Sequence, residues 1–70
     1  MSNMKKPECR IRYCEKDQDG HECYIFEIRQ SSEEDYGFSK SFRLIDDRIS
    51  YQALTEIREL MKLGYKIYFV

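Results

Sequence analysis

Asp19-Gly20 sits between two runs of alternating side chains, and no other feature constrains the chain as much. In residues 8–16 (ECRIRYCEK), Cys9, Ile11 and Tyr13 point one way, and Arg10, Arg12 and Cys14 the other. In residues 22–30 (ECYIFEIRQ), Tyr24, Phe26 and Ile28 share one face; Cys23, Ile25, Glu27 and Arg29 share the other. A period of two is that of a strand, and Asp-Gly accepts the positive φ of a hairpin turn. Charge then selects the register. A loop over residues 17–20 sets Tyr13 opposite Tyr24, Ile11 opposite Phe26, Arg10 opposite Glu27 and Glu8 opposite Arg29. A two-residue loop would face Arg10 with Arg29 and Asp17 with Glu22. Like charges directly opposed destabilise a pair by up to about 1 kcal/mol, so the longer loop is expected.

Residues 31–37 (SSEEDYG) read as a polar loop. A third strand is expected from Phe38 to Ile45, with Phe38, Phe42 and Leu44 on one face and Ser39, Ser41 and Arg43 on the other. Lys40 falls on the apolar face, where its stem would snorkel to an edge. Asp46-Asp47-Arg48 forms a turn. Ser50 is placed as a helix N-cap, with Ile49 and Leu54 as a hydrophobic staple. Residues 51–63 then carry Ala53, Leu54, Ile57, Leu60 and Met61 in one arc of a helix. Gly64 suits the position after the helix, and Lys62 suits the negative end of its dipole. Residues 65–70 (YKIYFV) are rich in strand formers.

The order β-β-β-α-β defines an α+β domain over residues 8–70, behind a flexible arm expected over residues 1–7. A meander makes the first and third strands parallel, and a right-handed crossover through the helix brings the fourth strand beside the first. The expected architecture is a four-stranded mixed sheet of order 3-2-1-4, with one helix packed on one face.

Composition narrows the function. Twelve Lys and Arg against thirteen Asp and Glu leave a formal charge of −1, which disfavours a strongly basic nucleic-acid binder and an acidic mimic alike. No apolar run approaches the ~18–20 residues of a membrane span. Met1 to Pro7 lack an apolar signal core, so a cytoplasmic protein is expected. Seventy residues leave little chain for a deep cleft, since so short a chain buries only about 60 % of its unfolded surface.

The residues that could carry chemistry point the same way. Cys9, Cys14, His21 and Cys23 make a nominal zinc set, but the hairpin sends Cys9 to the opposite face from the other three, and no Cys-x2-Cys spacing occurs. No metal and no cofactor is therefore expected, and the thiols are expected to be reduced. Cys14 and Cys23 should oppose each other. His21, the sole histidine, falls at a hairpin tip, a poor place to lock catalytic geometry. Glycine-rich phosphate loops are missing, and the chain is expected not to be an enzyme.

Two binding surfaces remain. The sheet face away from the helix would carry Arg10, Arg12, Arg29 and Arg43, a candidate for phosphates. Glu27 interrupts it, and few aromatics point outward for stacking on bases. Protein binding fits better. Glu33, Glu34 and Asp35 beside Tyr36 and Phe38 make an aromatic anchor with a charged rim, and Tyr68 and Val70 lie on an apolar edge strand. The element order resembles the truncated ribonuclease-H-like fold of the HicB antitoxin family, and Glu15 to Gly20 (EKDQDG) is similar to its hairpin tip. The Pro-Asp-Leu-Pro-Gly stretch of that family is absent, and no functional residue carries over. Size and order also look like those of small phage-encoded inhibitors, including anti-CRISPR and polymerase-inhibiting proteins. The expected function is a protein-binding inhibitor or adaptor that occludes a partner protein, with homodimerisation through the last strand compatible with it. A nucleic-acid-binding or antitoxin-like regulator is the alternative.

Overall fold

A computed structural model describes residues 6–46 and 48–70. Residues 1–5 of the expected arm and Asp47 of the expected turn lie outside the described residues. The elements are β1 (Glu8–Cys14), β2 (Cys23–Arg29), β3 (Gly37–Arg43), α1 (Tyr51–Lys62) and β4 (Lys66–Phe69). They form one mixed sheet of order β3-β2-β1-β4, as expected. β1 pairs antiparallel with β2 in the register that charge selected: Glu8 opposite Arg29, Arg10 opposite Glu27, Ile11 opposite Phe26. β4 runs parallel to β1, with Cys9 beside Ile67 and Ile11 beside Phe69. Pro7 already takes part, because its carbonyl accepts from the Lys66 N–H at 3.0 Å.

The hairpin loop owes its shape to Asp17. Its Oδ1 accepts from the backbone N–H groups of Asp19 and His21, at 2.8 and 2.9 Å. Gly20 supplies the turn's positive φ of 81°.

β3 departs from its expected pattern. The ladder slips between Phe26 and Glu27, so that Phe26 opposes Lys40 but Glu27 opposes Phe38, with Ser39 as the extra residue of a bulge. One added residue reverses the side-chain alternation beyond it. Phe42 therefore stays on the helix side, edge-on to Phe26 at 5.2 Å between ring centres, whereas Phe38 is turned to the outer face with 68 % of its surface exposed. The expectation that Phe38, Phe42 and Leu44 share a face fails for this reason. The strand also stops at Arg43 rather than Ile45.

Ser50 caps α1, its hydroxyl accepting from the Ala53 N–H at 3.1 Å. Leu63 ends the helix, and Gly64 follows with φ of 91°. The helix lays Ala53 and Leu60 on Cys9, Ile11 and Phe26, with Tyr24, Ile28, Phe42, Ile49, Ile57, Tyr65 and Ile67 packed around them. Lys40, stranded on this apolar face, reaches Glu56 of the helix at 3.0 Å. Two inward residues are less covered than the alternation implied. Tyr13 is 45 % exposed and stacks edge-on against Tyr24, and Leu54 of the expected staple stays exposed.

With so small a core, one cap matters. Ser50→Ala is expected to lower stability by about 1 kcal/mol and the melting midpoint by roughly 4–8 °C, read from thermal unfolding followed by circular dichroism, with Ser50→Thr recovering most of the loss.

Candidate interaction surface

Strand alternation puts Glu8, Arg10 and Arg12 of β1 and Ile25, Glu27 and Arg29 of β2 on the face away from the helix. Their charges are largely satisfied within that face. Glu27 Oε1 receives Arg10 at 2.8 Å and Arg12 at 3.1 Å, and Glu8 receives Arg29 at 2.6 Å. Arg43, at the end of β3, is held by both Asp17 and Asp19 of the hairpin loop. All four arginines proposed for phosphate contacts are thus in ion pairs, and binding a phosphate would have to compete with a carboxylate already in place.

Burial would raise the pKa of Glu27, but hydrogen bonds from Arg12 and Arg10 outweigh it and hold the carboxyl below the usual range. Asp17 is held low chiefly by the His21 backbone N–H, with Arg43 adding to the effect. Tyr36 lies between two guanidinium groups, Arg10 at 4.2 Å and Arg29 at 4.3 Å from its ring centre. Its hydroxyl lies 3.3 Å from Glu8 Oε1. Tyr36 is therefore part of the charged lattice rather than the exposed anchor the sequence suggested.

The clasp between Arg43 and the two aspartates has a second effect. It draws the β1–β2 loop over the outer face and makes an open groove of about 680 Å³. Cys23 and Ile25 form the floor, residues 16–19 one wall, and Phe38, Ser41 and Arg43 the opposite side. Cys23, on the face away from the helix as its alternation predicts, is nonetheless buried at 2 % exposure, and burial raises its thiol pKa. Cys14, opposite Cys23 on β1, is half-buried and lies 3.2 Å from the Lys16 carbonyl. On the other face, burial pushes the Cys9 thiol up to about 11, with Glu56 adding to the shift. All three cysteines are free thiols. Among the described residues, no group of three or more histidine, cysteine, aspartate or glutamate side chains is arranged to hold a metal ion.

The expected partner-binding residues separate into groups. Phe38 projects at the groove. Glu33 and Asp35 are exposed on the preceding loop, but the Glu34 carboxylate is occupied, accepting from the Gln30 N–H at 3.1 Å. Tyr68 and Val70 lie across the sheet on the β4 side. Sequence reasoning missed Cys23, Ile25 and the Asp17–Arg43 clasp. A signal was present for the clasp, since the β2–β3 meander carries Arg43 back to the level of Cys23, beside the hairpin mouth. No protein-family model matches the chain, and neither the curated proteins nor the solved structures give a match. No helix among the described residues is long and apolar enough to cross a membrane.

The two depressed carboxylates set a pH dependence. Their ionised forms stabilise the fold at neutral pH, and that contribution is lost as pH falls from the ordinary carboxylate range of about 4 through the lower folded values. Glu27→Gln should lower stability at neutral pH and flatten the fall in melting temperature between roughly pH 5 and pH 2, measured by thermal unfolding across that range.

Proposed function

We propose that this chain is a non-enzymatic protein-binding module, an inhibitor or adaptor that seats part of a partner protein in the outer-face groove beside Phe38. The observation that carries this reading is the bulge at Ser39, which presents a large aromatic to solvent on a rigid strand. An exposed aromatic next to an apolar floor, ringed by charge, is the usual make-up of an interface hot spot. The groove is open and has little of the enclosure a small-molecule site needs. The paired state of Arg10, Arg12, Arg29 and Arg43 favours a protein over a nucleic acid, whose affinity comes mainly from free cations meeting phosphates. His21 also fits binding better than catalysis, for it is exposed in the hairpin loop, 3.8 Å from an Asp17 oxygen that already accepts two backbone N–H groups.

The test compares the wild-type chain, Phe38→Asp and Arg58→Glu as baits for affinity capture, with circular dichroism confirming that each is folded. Proteins retained by the wild type and by Arg58→Glu should bind Phe38→Asp at least about 30-fold more weakly, the loss expected for a hot-spot aromatic. Capture indifferent to Phe38 would overturn the reading, as would tight, salt-sensitive binding to DNA or RNA in the absence of any protein partner.

A further inference from the structure

The two edges of the sheet are treated differently. The β3 edge is interrupted by the Ser39 bulge and carries Lys40 and Arg43, devices that discourage strand addition. The β4 edge has no bulge and, after Lys66, reads Ile67, Tyr68, Phe69, Val70. The Lys66 and Val70 N–H groups bond to Pro7 and Ile11 of the β1 side, each at 3.0 Å. Alternation along the strand then points the N–H and C=O groups of Ile67 and Phe69 away from the sheet.

We infer that the β4 edge pairs with the β4 edge of a second copy of this chain, antiparallel about a two-fold axis at Tyr68. In this register Ile67 and Phe69 of one copy exchange main-chain hydrogen bonds with Phe69 and Ile67 of the other. Both outward-pointing residues of each strand are satisfied, so the frame is self-complementary, as a two-fold interface requires. On the helix side Ile67 meets Phe69 of the second copy. On the outer side Tyr68 meets Tyr68, and Lys66 meets Val70. No like charges are directly opposed.

The surface beside this edge fits the same occupant. Glu56 reaches β3 through Lys40, so the opposite flank of α1, which carries Leu54 and Met61, is turned toward β4. Met61 is 61 % exposed and Phe69 65 %. The two-fold axis places the helices of both copies on one face of a continuous eight-stranded sheet, antiparallel, with these flanks toward each other and the Phe69 rings between them. Leu54, Met61, Tyr68, Phe69 and Val70 are all exposed along this border, the apolar material from which a specific interface of about 1,000 Å² is built. A net charge of −1 opposes the association little. The groove at Phe38 lies on the other face, near the other edge, and stays free in the dimer.

Sedimentation equilibrium from low to high micromolar concentration tests the inference, using the wild type, Phe69→Lys, Phe69→Pro and Phe38→Asp. The wild type and Phe38→Asp should show a reversible monomer–dimer equilibrium of the 8.5 kDa chain. Phe69→Lys should weaken it about tenfold or more by charging the edge. Phe69→Pro should do the same by removing an N–H that points out of the sheet, while leaving the β1 ladder intact. Circular dichroism selects whichever Phe69 variant remains folded. A wild-type chain that is monomeric throughout would overturn the inference. So would a dimer insensitive to both Phe69 variants, or one lost in Phe38→Asp. Because the Phe38 capture experiment reads a different residue, either proposal can fail alone.

Discussion

Everything in this molecule hangs on Ile11 facing Phe26 across the central hairpin. Both are essentially fully buried, and the helix, β4 and the aromatic pair with Phe42 all pack on this one spot. A chain of this length affords only a few kcal/mol of net stability, so the register that creates the contact must be secured by other means. The arginine–carboxylate ladder on the reverse of the same two strands does this. Sliding the register by two residues would replace attractive pairs with repulsive ones, although the apolar face would be preserved. Hydrophobic burial thus supplies the energy of the hairpin, and charge supplies its alignment.

That division of labour explains why the outer face reads as a binding surface in sequence but is internally engaged in the structure. Four arginines on one sheet face look like a cationic platform when counted along the chain. In three dimensions Glu8, Asp17, Asp19 and Glu27 meet them, and Tyr36 fills the space between Arg10 and Arg29. Apolar surface stays exposed beside this lattice: Phe38 on one side of the sheet, and the β4 border with its neighbouring helix flank on the other.

Strand order, hairpin register, the Ser50 cap and the Gly64 stop were all legible, because each rests on local chemistry: period-two alternation, opposed charges, a hydroxyl at a helix start, a left-handed glycine. The orientation of Phe38 was not. A bulge is a backbone event, and the residue it inserts, Ser39, carries no composition signal of its own. The burial of Cys23 escaped for a related reason. It depends on a loop folding back over the sheet, which requires knowing that Arg43 returns to the mouth of the hairpin. The placement of Tyr36 between Arg10 and Arg29 was not legible either, since Arg10 comes from β1, 26 residues away, and meets the ring only once β1 and β2 have paired.

The pairing of β1 with β4 also bears on how this protein is made. The two adjoining strands, β1 at Glu8–Ile11 and the β4 edge at Lys66–Phe69, come from distant parts of the chain, and joining them closes a loop of roughly 60 residues, an entropic cost met only when the rest is ordered. During synthesis the first hairpin can form early, with Cys9 and Ile11 lacking their β4 neighbours until residue 69 has emerged from the ribosome. A nascent chain stalled shortly before that point would hold an unfinished sheet with β1 as an open edge, the state in which chaperones and proteases would find it most readily.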